Sequence, residues 1–235
     1  MGVKHCVVVQ PNSYGYDNSV TVDAVMAKGG AYCGIALVPV TVSDSELKKL
    51  DAAGMRGARF HFMDGRAGAG IEEVVEFSKR LANIGWHLQI QMQAEGIADL
   101  VSAIKRSAVP VMIDHMGRVD ASLGIEQPSF RALLSLMKHP NNWVKVSGID
   151  RLTRLGQPYA DALPFAHKLV KEYGDRVVWG TDWPHVNHSG AVPDDGVLID
   201  SISAIAPTMA KQQALLVDNP QRFYRFEPMK KINQW

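Results

Sequence analysis

Apolar and β-branched residues gather in short runs at 6–9 (CVVV), 33–38 (CGIALV), 57–62 (GARFHF), 87–92 (HLQIQM), 110–114 (PVMID), 143–147 (WVKVS) and 176–180 (RVVWG). Their length and their Val and Ile content read as seven strands. Between them, stretches near 18–28, 43–53, 71–84, 96–106, 127–138 and 159–173 carry apolar residues at helical spacing, with further helices at 194–204 and 207–217. Ser43 with Glu46 three residues later reads as a capping box. Regular alternation of strand and helix with short connections predicts a parallel sheet, either doubly wound or closed into a barrel.

The polar residues decide between the two. Gln10, Asn12 and Ser13 follow the first run, Arg59 and His61 lie in the third, and Gln89 and Gln91 in the fourth. Asp114 and His115 close the fifth, Ser147 with Asp150 and Arg151 the sixth, and Asp182 and His185 follow the seventh. A doubly wound sheet concentrates its ligand contacts at one switch point, whereas a barrel collects them from nearly every strand on one face. The expected fold is therefore a TIM-type (β/α)8 barrel. Arg59 and His61, like Gln89 and Gln91, are two apart and so share a side of their strands. A full barrel has eight strands; no strand-like run precedes CVVV, so a gap or a substitute element is expected in the first strand's place.

Composition narrows what such a chain does. At 235 residues it has room for one large core and is expected to form one domain over 1–235. Its 25 basic and 24 acidic residues are spread without a basic stripe, which speaks against nucleic acid as a partner. No apolar stretch is long enough to span a bilayer, so no membrane partner is expected. Two cysteines, Cys6 and Cys33, each inside a strand, and no signal-like start suit the cytoplasm. No GxGxxG, GxxxxGK[ST], GxSxG, HExxH or CxxC pattern occurs.

Six segments together, "QPNSYGYDN" at 10–18, "GMRGARF" at 54–60, "DHMGR" at 114–118, "VSGIDR" at 146–151, "GTDWPH" at 180–185 and "DNPQRFY" at 218–224, resemble the amidohydrolase-like (β/α)8 enzymes related to 2-pyrone-4,6-dicarboxylate lactonase. The resemblance runs end to end. It implies an amidohydrolase-superfamily lactonase, a hydrolase that opens the lactone ring of a small carboxylic or dicarboxylic acid. Asp182 would be the general base for water attack and His115 would polarise the carbonyl. Arg59 and Arg151 would bind substrate carboxylates, with Arg66 offset by about one position from its family counterpart. Members of the family usually carry a further N-terminal strand with a His-x-His pair, which has no counterpart here.

Read from the residues alone, Asp182 could instead cap the turn that follows it, although Trp183 beside it would thin the solvent around a base. His115 could be a buried structural histidine oriented by Asp114. An arginine in a strand, as at Arg59, needs an internal acid or a substrate carboxylate to answer it. Lys145 could point inward into a structural ion pair. Asn12, Ser13, Gln91, His61 and His185 are candidates to contact substrate; His188 is a weaker one. The two glutamines favour a hydroxylated, sugar-acid lactone over a planar pyrone, unless they serve only as scaffold. No metal and no cofactor are expected, a divalent ion being the less favoured alternative. A lactone isomerase and a non-catalytic binding remnant are the competing functions, and the sequence is silent on oligomeric state.

Overall fold

The computed structural model describes residues 2–63, 68–188 and 190–226. Seven strands form one sheet in sequence order, every neighbouring pair parallel. They are β1 (Cys6–Val9), β2 (Tyr32–Ala36), β3 (Met55–Phe62), β4 (His87–Met92), β5 (Val111–Ile113), β6 (Asn142–Lys145) and β7 (Val177–Val178). The helices between them are α1 (Ser19–Met26), α2 (Asp44–Ala52), α3 (Ile71–Ala82), α4 (Ile97–Ile104), α5 (Pro128–Met137), α6 (Ile149–Leu152) and α7 (Leu163–Tyr173). After β7 come α8 (Asp195–Asp200), α9 (Ile202–Ile205), α10 (Met209–Gln213) and α11 (Asn219–Tyr224).

Local chemistry explains the helices. In α3, Val74, Val75, Phe77, Ser78 and Leu81 are buried, Glu72 and Glu73 lie in the first turn, and Lys79 and Arg80 in the last. The spacing gives one apolar face against the sheet, and the charges complement the helix dipole at each end. The N-terminal bond expected for α2 is present, with the Glu46 N–H donating to Ser43 Oγ at 3.2 Å. Two expectations need correction. The 159–173 helix begins only at Leu163, because Tyr159 takes a left-handed φ of 65° that no right-handed helix admits. Residues 149–152, outside the expected strands and helices, form the single turn α6 that carries Asp150 and Arg151.

The sheet curls as a barrel does. Val7 and Val9 of β1 pack in the same interior cluster as Cys33 and Ile35 of β2, Met112 of β5, Trp143 of β6 and Val178 of β7. Among the described residues β1 and β7 share no ladder, so the curled sheet is open between them, where a gap was expected. A second cluster, with Trp86, Phe130 and Phe165 among its largest buried side chains, seals the helices onto the outer face. The C-terminal segment stoppers one mouth. Phe223 stacks on His87 and Trp143 with centroids at 4.5 and 4.7 Å, and Phe226 meets His5 at 4.8 Å. These partners lie at or just before the strands' N-terminal ends, which leaves the C-terminal mouth for chemistry.

Candidate active site

Strand register builds the site in two tiers. Arg59 pairs with Gln89 and His61 with Gln91 across β3 and β4, so four polar side chains share one inner face. In the lower tier Asp114, fully buried just past β5, receives Arg59 Nε at 2.8 Å, Lys145 Nζ at 2.8 Å and Gln89 Nε2 at 3.1 Å. Burial alone would push this carboxyl up, but Lys145 and then Arg59 outweigh it and hold it well below the usual carboxylate range. Burial in turn lowers the Lys145 ammonium, with Asp114 opposing.

The upper tier holds His115, Ser147, Asp182 and Arg151. His115 Nδ1 lies 2.9 Å from Ser147 Oγ, and its Nε2 lies 3.5 Å from Asp182 Oδ1. Arg151 Nε donates to Asp182 Oδ2 at 2.5 Å, and its Nη2 donates to the Val186 carbonyl at 3.1 Å. Burial lowers His115 to about 4, with Lys145 and Arg59 adding to it and Asp182 and Asp114 opposing, so the imidazole is neutral near pH 7.

The backbone around His115 is unusual. His115, Met116, Gly117 and Arg118 all have positive φ, from 47° to 67°, which makes a left-handed turn directly after β5. A left-handed turn costs an ordinary residue roughly 1–2 kcal/mol, so its surroundings must hold it in place. Met116 is fully buried, and Ile97 packs so closely on Gly117 that a Cβ there would meet it at 2.6 Å. Opposite, Gly148 at φ +77° leaves room for the His115 ring, since a Cβ at 148 would stand 3.0 Å from the His115 Cβ.

Several expectations change against this geometry. The Asp182 side chain does not cap the following turn: Thr181 Oγ1 accepts the Trp183 N–H at 3.1 Å, and the carboxylate belongs to Arg151 and His115. Trp183 does not thin the solvent, being 72% exposed. The hydrogen-bond partner of His115 is Ser147, whereas Asp114 is committed to Lys145 and Arg59. Arg59 is answered by an internal acid, and Lys145 makes the inward ion pair with that same acid. Arg151 sits on α6. His185 is buried, with Nε2 3.2 Å from Asp195 Oδ1 of α8, while His188 Nε2 meets the buried Asp150 at 3.4 Å. Gln91 Oε1 accepts from Arg59 Nη2 at 2.8 Å, and Gln89 Nε2 donates to Asp114 at 3.1 Å. Asn12 lies half-buried and Ser13 exposed in the turn after β1, and His61 is half-buried at the end of β3. Arg66 lies outside the described residues.

No three His, Cys, Asp or Glu side chains among the described residues converge in a metal-holding group. The two acids nearest His115 already carry cations, Arg151 on Asp182 and Lys145 with Arg59 on Asp114. No helix among the described residues is long and apolar enough to cross a membrane.

Comparison with known proteins agrees with this architecture. The profile of the amidohydrolase family Amidohydro_2 matches residues 1–226. The chain is 42% identical over 234 residues to 2-pyrone-4,6-dicarboxylate hydrolase of Comamonas testosteroni, covering 95% of this chain and 77% of that protein. It is 35% identical over 229 residues to 4-sulfomuconolactone hydrolase of Hydrogenophaga intermedia, covering 95% and 75%. A crystal structure from Pseudomonas putida, assigned as a 2-pyrone-4,6-dicarboxylic acid hydrolase, superposes with a TM-score of 0.85 at 33% identity, covering 96% of this chain and 83% of that one.

Proposed function

Because the chain belongs to the amidohydrolase family, we propose that it is a lactonase, a carboxylic ester hydrolase that opens the ring of a small acidic lactone. The observation that carries this reading is the Asp182, His115 and Arg151 cluster at the C-terminal end of the curled sheet. Two relatives at 42% and 35% identity are hydrolases named for a pyrone dicarboxylate and for a muconolactone, which supports the substrate class.

In the proposed reaction Asp182 takes a proton from water as the water oxygen bonds to the lactone carbonyl carbon. His115, kept neutral by burial, donates from its ring to the carbonyl oxygen as negative charge gathers there. The ring C–O bond then breaks, and the proton held by Asp182 passes to the departing ring oxygen, giving an open-chain hydroxy acid. Arg151 holds the Asp182 carboxylate in position. In the tier below, Arg59 and Lys145 share one carboxylate, Asp114, so two cations face one anion and an acidic substrate is favoured over a neutral one. Asn12, Ser13, Gln91 and His61 border the same mouth and are proposed to line the substrate. We also propose that catalysis proceeds without a metal, since the chain's own cations neutralise its acids, and that the enzyme is cytoplasmic, where the free thiols Cys6 and Cys33 stay reduced.

The test is a turnover assay with 2-pyrone-4,6-dicarboxylate and muconolactone carboxylates, run with and without a chelator. Wild-type protein should open at least one of them in chelator. Asp182→Asn keeps the shape and loses the base, so kcat should fall about 100-fold or more with substrate binding retained. Full activity in Asp182→Asn, or no turnover of any acidic lactone, would overturn the reading.

A further inference from the structure

We propose that Ser147 is a positioning residue that sets the tautomer of His115, so that the Nε2–H faces Asp182 and the substrate while Nδ1 accepts from the serine hydroxyl. The inference deepens the lactonase reading and rests on it for its catalytic meaning. Its structural part stands on the geometry alone.

The two ring nitrogens of His115 meet different partners: Ser147 Oγ lies 2.9 Å from Nδ1, and Asp182 Oδ1 lies 3.5 Å from Nε2. A neutral imidazole carries one N–H. With the proton on Nδ1, that nitrogen would donate to Ser147, and the Nε2 lone pair would face a carboxylate oxygen with no proton between them. With the proton on Nε2, the ring donates toward Asp182 and the hydroxyl turns to donate to Nδ1. Both contacts are then attractive. A serine hydroxyl either donates or accepts, but only as donor to a bare Nδ1 does it leave the ring proton on Nε2, facing the carboxylate. Here the carboxylate and the serine hydroxyl select the tautomer together, and without the hydroxyl a bare, buried Nδ1 has no donor, so the preference for Nε2–H weakens.

The fold holds this pair in contact. Ser147 and His115 are both buried, and Ser147 directly follows β6 while His115 begins the left-handed turn after β5. Gly148 next to the serine gives the His115 side chain room that a Cβ would crowd, at 3.0 Å from its Cβ and 3.3 Å from its ring. The tautomer matters because only an Nε2–H can donate to a carbonyl oxygen that is gaining charge; an Nε2 lone pair would repel it. Ser147 need not touch substrate to have this effect.

The test reads the tautomer directly. In protein labelled with 15N-histidine at pH 7.5, long-range 1H–15N correlation separates the two tautomers, and the His115 signal is the one lost in His115→Gln. We expect an Nε2–H pattern in the wild type and a mixed or inverted pattern in Ser147→Ala. We expect kcat in Ser147→Ala to fall about 10- to 100-fold with KM changed less than about twofold. Ser147→Thr keeps the hydroxyl and should restore both the pattern and the rate. An Nδ1–H pattern in the wild type overturns the proposal without any variant having to fold. So does a Ser147→Ala protein with wild-type tautomer and kcat. If the pattern responds as expected but no acidic lactone is opened by the wild type, the lactonase reading fails and the positioning of His115 stands.

Discussion

At Asp114 one fully buried carboxylate stands between two cations, 2.8 Å from Lys145 and from Arg59. Removing that anion leaves two buried positive charges facing each other. Asp114→Asn should therefore cost about 3–5 kcal/mol, seen as a lower urea midpoint at unchanged slope; a loss below about 1 kcal/mol would mean that the cations find water or other partners. Arg151 poses the opposite question, because its guanidinium is committed to Asp182 rather than held open. If its task is to orient the base, Arg151→Met should lower kcat about 10-fold or more for acidic and neutral lactones alike. A KM effect confined to the acidic lactone would instead assign it to carboxylate binding. These roles were only half legible in the sequence. An arginine between Ala58 and Phe60 announces a buried partner, but a one-dimensional pattern does not say that Asp114, 55 positions away, supplies it.

The decisive elements are the two turns that follow β5 and β6 and set His115 against Ser147. Four consecutive residues in left-handed conformation after β5 put the His115 ring against Ser147, and Gly148 is the residue that makes room. Gly148→Ala would place a methyl group 3.0 Å from the His115 Cβ at a φ of +77°. The expected outcome is a loss of about 1–2 kcal/mol in stability together with a fall in kcat. Wild-type kinetics and melting temperature in this variant would show that the turn relaxes without moving the ring. The glycines of "DHMGR" and "VSGIDR" mark turns in the sequence, since glycine tolerates positive φ. Nothing in the sequence indicates that His115, Met116 and Arg118 join the glycine there, because that conformation depends on Met116 being buried and Ile97 closing over Gly117.

For the whole molecule, the buried histidines govern the response to acid. Burial lowers His87, which stacks on Phe223 and Tyr224, from 6.5 to about 3, and lowers His115 from 6.5 to about 4. Below pH 6.5 the unfolded chain binds protons that the folded chain refuses, so unfolding becomes easier as pH falls. Stability is full above about pH 6.5 and is lost progressively below it, down to about pH 4 for His115 and about pH 3 for His87, with each histidine contributing up to about 1.4 kcal/mol per pH unit. Urea unfolding at pH 7, 6 and 5 should show this decline, and His87→Gln should make it shallower. Equal stability at pH 7 and pH 5 would mean that both rings protonate in place.

The strand runs, the helix faces and the polar residues at the strand ends were set by local pattern, because strand and helix periods, N-caps and β-branched composition act over a few neighbouring residues. That pattern was enough to predict a parallel, barrel-like sheet and to put His115, Arg151 and Asp182 at strand ends, while six motif segments carried the resemblance to an amidohydrolase-like family, a membership the comparisons bear out. Tertiary structure decided which partner each of those groups takes. Asp114 went to Lys145 and Arg59, His115 to Ser147, Arg151 to Asp182, and His185 to Asp195. These pairings depend on the curl of the sheet and on two turns whose conformations are held by distant side chains. Hydrogen bonds and ion pairs select partners by distance in space, and distance in space exists only once the chain has closed on itself.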